Sequence, residues 1–293
     1  MTDKTLPPGI DLIIAAREKD LGGFYVRRLL PVAGHRMVGP WIFFDHMGPA
    51  DFAPGIGVNV RPHPHINLAT VTYLFEGAIL HRDSLGTRSV IRPGDINLMV
   101  AGKGIVHSER EEAAAQAQPR HLDGLQLWLA LPEADEEMDP AFFHYPSADI
   151  PAMTEDGVSV RVMMGSAFGL TSPVRTYADT LYVEAHLSAG KAIVAPVADQ
   201  RAVYVCSGDL NVAGRRVGAY EMAVLTPGAE VDLNALSDVH FVIVGGEALS
   251  ERHIYWNFVS SRPDRIEQAK ADWKAGRFPK VPGDELEFIP LPE

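Results

Sequence analysis

The sequence predicts an all-β chain of two antiparallel β-barrels of the jelly-roll kind, with one short helix near the C-terminus. Three observations carry this. Glycine and proline, 26 and 22 of 293 residues, are spread evenly and keep the apolar runs short, which is the pattern of strands bounded by turns. A strand, turn, strand, Pro-Gly sequence occurs twice. Helical periodicity is scarce.

The elements follow in order. Strands are expected at residues 70–75, 78–82, 96–100 and 125–131, then at 158–164, 181–187, 202–206 and 240–244. Pro93-Gly94-Asp95 and Pro227-Gly228-Ala229 are turns. The repeat runs from Phe75-Glu76-Gly77 to Pro93-Gly94, and again from Cys206-Ser207-Gly208 to Pro227-Gly228, with Gly-to-Gly separations of 17 and 20 residues. The acidic, Pro-bounded run 132–140 reads as a solvated connection between halves, or as a surface loop within one domain. The division taken is residues 1–140 and 141–293. Near the end, Ser261 precedes Pro263-Asp264, an N-terminal helix signature. Ile266, Ala269, Lys270 and Trp273 then share one face, and Gly276 supplies a stop. The tail 288–292 is expected to lie against the surface, without helix.

Composition narrows the function. A hydrophobic content of 46% allows a full core. A net charge of −12 argues against direct nucleic-acid binding, which needs clustered Lys and Arg. Cys206 is the single cysteine, so no intrachain disulfide forms, and a reducing compartment fits. Its apolar neighbourhood suggests an inert buried thiol. The N-terminal residues show no apolar leader core, and no stretch reaches the length of a membrane span. A cytoplasmic protein without membrane attachment is expected.

The chemistry concentrates in His63-Pro64-His65 and in Gly104-Ile105-Val106-His107-Ser108-Glu109. A His-x-His pair on a strand sends both imidazoles to one face, because side chains alternate. His107 and Glu109, also two apart, can close that face into a metal site. Three nitrogens and one oxygen with open positions suit Fe(II), Mn, Co, Ni or Cu better than a closed structural zinc site. Gly57 lies six residues before His63, and Gly104 three before His107, as cupin metal motifs require. The carboxylate usual soon after the second His is replaced by Ala69 and Thr70, which leaves Glu109 as the fourth ligand. At the equivalent positions of the second half, Val194 and Pro196 replace the His pair, so metal is expected in the first half alone.

Other residues are read more plainly. Asp45-His46 either orients a ligand imidazole or forms a structural pair at a strand end, and the structural pair is favoured. Gln126 and Trp128 share a strand face that can reach the pocket, with packing preferred for Trp128. His81-Arg82-Asp83, beside a turn, is read as structural. Arg252-His253 with Trp256-Asn257 is read as second-half packing between strand and helix.

The stretch His63 to Gly77, with His81 to Gly86, Pro93-Gly94-Asp95, Ala101 to Glu109 and Leu125-Gln126-Leu127-Trp128, resembles the pirin family, most strongly over residues 40–132. The resemblance implies a bicupin with one iron site in its first half, held by His63, His65, His107 and Glu109. Fe(II) is the implied ion, with Mn, Co, Ni, Cu or Zn as alternatives. After the His-x-His motif, pirins commonly carry Arg-Gly-Phe-Glu, where this chain has Ile66-Asn67-Leu68-Ala69. That departure bears on the pocket lining.

Two activities follow from the resemblance. The first is a quercetin 2,3-dioxygenase-like oxidoreductase acting on O₂ and a flavonol or related aromatic or enolic substrate, with Glu109 as ligand and proton acceptor. The second is a non-enzymatic, iron-dependent redox-sensing co-regulator that binds a protein partner. A cupin isomerase or a sugar-binding storage relative ranks below both.

Overall fold

Strands form wherever apolar residues alternate between Gly and Pro turns, and the computed structural model describes the chain over residues 6–20 and 24–293. Residues 1–5, the start of the stretch read above for a leader, lie outside the described residues. Every expected strand is present. They run Leu68–Glu76, Ile79–Asp83, Ile96–Val100, Arg120–Ala130, Val158–Met164, Thr180–Leu187, Gln200–Ser207 and Val239–Gly246. Most are longer than the apolar runs that signalled them, because ladder hydrogen bonds continue past the last buried side chain. The expected helix spans Pro263–Lys274, and among the described residues the other helical segments are the single turns Ala113–Gln116 and Ser147–Asp149.

The chain divides into two compact units that exchange segments. The histidine unit comprises Glu18–Arg27, Phe43–Ser147 and Ser250–Glu293; the second unit comprises the segment up to Arg17, Arg28–Ile42 and Ala148–Leu249. The change of unit at Ser147 lies close to the sequence division at residue 140, but the two ends of the chain cross over. Ile10–Ala15 joins the second unit by pairing antiparallel with Glu221–Leu225. In the histidine unit, Ile66 forms a bridge with Phe258 and shares a core with Phe258, Ile266 and Ala269. The Arg252–Trp256 cluster therefore belongs to the histidine unit rather than to the second half of the fold.

Within the histidine unit, a four-stranded sheet runs Val60–His65, Ile105–Arg110, Ile79–Asp83, Arg88–Ile91. A second sheet carries Ala141–Tyr145, Ile96–Val100, Leu68–Glu76 and Arg120–Ala130 as successive neighbours. A core that includes Phe24, Val26, Phe52, Leu74, Ile79 and Ile91 fills part of this unit. The second unit repeats the plan with a seven-stranded sheet from Ile10–Ala15 to Ala152–Glu155 and a four-stranded one. Its core holds Val203, Val205, Leu210, Val212, Phe241 and Ile243. The repeat is geometric as well as sequential. Gly77 and Gly208 have φ of +86° and +80°, and a Cβ on either would collide with a carbonyl oxygen, of His121 and of Asp238 respectively. Only glycine meets both conditions without strain.

Two sequence expectations are corrected here. The acidic run is not simply solvated. Glu136 is buried, pairs with Arg252 Nε at 3.0 Å, and accepts hydrogen bonds from the Ser261 amide at 2.7 Å and the Ser261 hydroxyl at 2.8 Å. A buried cation, Arg252, needs such a partner. Ser261 is consequently not the helix cap. Arg262 holds that position in extended backbone, without a side-chain cap bond, and the chain enters the helix at Pro263. The expected helix face holds, with Ile266 and Ala269 buried and Lys270 Nζ 4.4 Å from the Tyr255 ring. No helix among the described residues is long and apolar enough to cross a membrane.

Candidate metal centre

The antiparallel pairing of Val60–His65 with Ile105–Arg110 sets His107 directly opposite His63 and Ile105 opposite His65. Period-two alternation puts His63 and His65 on one face. The three rings meet, with centroids 5.1 Å apart for His63–His65, 4.3 Å for His63–His107 and 5.0 Å for His65–His107. One nitrogen from each lies within 4.8 Å of the others. Glu109 reaches the same place, its carboxylate 4.0 Å from His63 Nε2 and 3.9 Å from His107 Nε2. A register shift between His107 and Glu109 interrupts the ladder to Val60–His65, while the ladder to Ile79–Asp83 stays regular.

The ring nitrogens are oriented before any ligand arrives. His63 Nδ1 donates to the Arg61 carbonyl at 2.9 Å, which leaves Nε2 bare. His65 Nδ1 and His107 Nε2 are buried and have no hydrogen-bond partner. Orphaned buried acceptors are uncommon and call for an explanation. Burial pushes all three imidazoles toward the neutral, ligating form. His63 is lowered to about 4, and His65 and His107 fall well below the ordinary range, helped by their mutual repulsion. Burial also raises the Glu109 carboxyl to about 7. Three neutral nitrogens and one carboxylate that converge in a desolvated site fit a divalent transition-metal ion.

His81, read as structural from the sequence, stands against the ligand candidate His107. It faces Glu109 across the strand pair, and its neighbour Asp83 faces His107. Its Nε2 donates to Asp83 Oδ2 at 3.0 Å, and its Nδ1 lies 3.5 Å from His107 Nδ1. Asp83 resists the upward push of its burial, because hydrogen bonds from His81 and Thr87 hold its carboxyl below the ordinary value. With His81 Nε2 protonated toward Asp83, His81 Nδ1 can accept from His107 Nδ1. That arrangement bares the orphaned His107 Nε2. The signal in the sequence was the His-x-Asp spacing on a strand, which the nearby turn obscured.

Aromatic groups stand beside these ligand candidates. Trp128 is buried, meets His65 edge to face at 5.0 Å and stacks on Phe43 at 3.9 Å, so its packing reaches a ligand candidate. Phe142 stacks on His81 at 4.5 Å. Gln126 accepts a hydrogen bond from the Thr72 hydroxyl at 2.9 Å. His46 pairs with Asp123 at 2.6 Å and packs against Phe75, in keeping with a structural role.

The backs of the same strands are tied to the C-terminal tail. Ser108 and Arg110 alternate with His107 and Glu109 and hydrogen-bond to Asp284, at 2.7 Å and at 2.9 and 2.8 Å. The Ile289 amide donates to the Pro62 carbonyl at 2.9 Å. The tail thus lies on the surface as expected, as a brace. Asn67 pins the end of the His-x-His segment. It is fully buried with φ of +58°, and its Nδ2 donates to the Glu136 carbonyl and, at 3.0 Å, to Glu137. Asn67 occupies the glycine position of the Arg-Gly-Phe-Glu pattern, and Asn is among the residues that tolerate that backbone.

Comparison with known proteins agrees with this architecture. The pirin family model matches residues 23–129, and the pirin C-terminal cupin domain model matches residues 182–279. A pirin-like protein of Caulobacter vibrioides is 50% identical over 288 residues, covering 97% of this chain and 100% of the relative. Human pirin is 32% identical over 276 residues, covering 90% and 92%. The crystal structure of quercetin 2,3-dioxygenase from Acinetobacter baumannii superposes with a TM-score of 0.90 at 32% identity, covering 97% of this chain and 95% of that one.

Proposed function

The chain belongs to the pirin family, and from that premise we propose that it is a metal-dependent dioxygenase of a flavonol or related enolic or phenolic substrate. His63, His65, His107 and Glu109 would hold one divalent ion, Fe(II) first. The observation that carries this reading is the convergence of buried, partnerless ring nitrogens with one carboxylate. The relative named quercetin 2,3-dioxygenase supports the substrate class.

A divalent ion held there would supply Lewis acidity toward an enolic hydroxyl. The protein's own part is orientation and proton handling. His81 and Asp83 hold His107 in the ligating tautomer, the usual task of groups behind a metal-bound imidazole. Glu109 would offer its carboxylate to the hydroxyl proton; in the metal-free fold, burial raises that carboxyl to about 7. Trp128, Phe43 and Phe142 pack aromatic groups beside the ligand candidates and would help to exclude water.

The test is oxygen uptake. Metal-free protein is loaded with Fe(II) without air, then mixed with O₂ and quercetin, with His63→Ala as control. Metal-dependent O₂ consumption that His63→Ala lacks is expected; no consumption with quercetin or other flavonols and enols overturns the enzymatic reading.

A regulatory reading draws on a different observation. The strand that carries His107 and Glu109 is tied through Ser108 and Arg110 to Asp284, in a tail that exposes Leu286 and Phe288. A change of metal charge at the ligands would then alter a surface offered to a protein partner. It predicts oxidation-dependent change in tail protection from hydrogen exchange, without turnover.

A further inference from the structure

We propose that the second unit carries a metal site of its own, formed by Glu184, His186 and His240 outside its barrel core. This goes beyond the reading above and does not depend on it. It also departs from the sequence expectation of metal in the first half alone, which rested on Val194 and Pro196 at the positions corresponding to the His pair.

The three residues sit on paired strands, Thr180–Leu187 and Val239–Gly246, where His186 lies directly opposite His240. They alternate with Val183, Ala185, Leu187, Phe241 and Ile243, which point into the core, so they stand on the opposite face of the sheet. The two imidazoles stack with centroids 4.0 Å apart and planes 12° from parallel. Both present Nε2 to the same oxygen. Glu184 Oε1 is 3.0 Å from His240 Nε2 and 3.5 Å from His186 Nε2. An ion about 2.0–2.2 Å from each ligand holds adjacent ligand atoms about 3 Å apart. One nitrogen or oxygen of each residue lies within 4.8 Å of the others, and the exposed His186 ring can swing out of the stack to aim its Nε2 at an ion shared with His240 and Glu184.

The surroundings suit an accessible ion. Glu184 is 6% exposed and forms the floor, while the His186 side chain is 55% exposed and opens to solvent. His186 and His240 also line a hollow of about 370 Å³ with Ser159, Ser188, Ser207 and Asp238. Three protein ligands and a wet outer side leave at least one position for water or an anionic group. Arg161 stands across the adjacent strand pair from Glu184. A carboxylate offers two oxygens and about four acceptor sites, so it can serve both a guanidinium and a metal. Two nitrogens and one oxygen fit borderline divalent ions, Zn(II) foremost.

The experiment is Zn(II) titration of the metal-free full chain, with bound ion counted by elemental analysis after gel filtration. Wild type is expected to bind two equivalents. The double variant His186→Ala/His240→Ala, at positions outside the core, is expected to bind one, and so is His63→Ala. Glu184→Gln, which keeps size and removes charge, is expected to weaken the second equivalent at least about tenfold. A second equivalent that survives in His186→Ala/His240→Ala overturns the proposal. So does a single equivalent lost in His63→Ala alone. A single equivalent lost in His186→Ala/His240→Ala but kept in His63→Ala supports this site and refutes the first.

Discussion

The two units share a plan and differ in what they bury. The histidine unit encloses His63, His65, His81 and His107. At the corresponding place in sequence, the second unit has Val194 and Pro196, and its core is Val, Leu, Ala, Ile and Phe. Its candidate ligands lie on the other side of the sheet. The scaffold is therefore indifferent to chemistry. An interior lined with imidazole and carboxylate forfeits packing and leaves buried polar atoms unsatisfied, at about 1–3 kcal/mol each. An ion that satisfies them adds its binding energy to the fold. The second core cluster contains neither His nor carboxylate and so offers no such ligand set.

The contrast can be broken most directly at the histidines. His63→Ala, His65→Ala and His107→Ala are each expected to abolish stoichiometric metal binding in the histidine unit, while the circular-dichroism spectrum stays that of a β protein. Wild-type affinity in any one of them removes that residue from the ligand set.

Next in size is His81. His81→Phe keeps a ring beside Phe142 but loses both nitrogens, and Asp83→Asn breaks the same relay. Each is expected to weaken metal binding about 10–100-fold, read by chelator competition. Unchanged affinity would return His81 to the structural role first assigned to it.

The carboxylate sets a pH dependence. Glu109 titrates at about 7 in the metal-free fold, and a ligand must be ionised. Affinity is therefore expected to rise about tenfold per pH unit up to about 7 and then level off, with the slope lost in Glu109→Gln. That variant should lose turnover more than substrate affinity if Glu109 also takes the proton. Stability carries the matching sign. The folded value of about 7 lies above the ordinary 4.5, so the contribution is present below 4.5 and is lost as pH rises through 7. Metal-free wild type should fall in melting temperature relative to Glu109→Gln across that window. Parallel curves would place Glu109 in solvent.

The smallest effect is expected at the brace. Asp284→Ala removes hydrogen bonds to Ser108 and Arg110, worth roughly 1–3 kcal/mol for contacts to charged groups. Hydrogen exchange at Ile105–Arg110 should speed up, with metal affinity changed only a few-fold. If exchange is unaltered, the tail does not hold the strand.

Much of this was legible in the chain. Alternation within Val60–His65 and Ile105–Arg110, with the glycines ahead of each, pointed to four groups that the fold brings together. Gly77 and Gly208 announced the repeat. The face of the C-terminal helix was readable from its period, and its cap was not, because Ser261 is engaged by Glu136 from a distant loop.

What the sequence by itself determined was local: the strands, their turns, the helix face, and which residues of one strand share a side. Side-chain alternation and turn chemistry operate over a few residues, so they leave a trace in the order of letters. Only the tertiary structure decided which strands became neighbours. It placed His81 beside His107, set Asp284 behind Glu109's strand, carried Ile10–Ala15 into the second unit, and brought His240 over Glu184. Ladder hydrogen bonds join backbone groups that every residue but proline possesses, so the pairing of distant strands leaves no comparable mark. The packing of the whole core selects it.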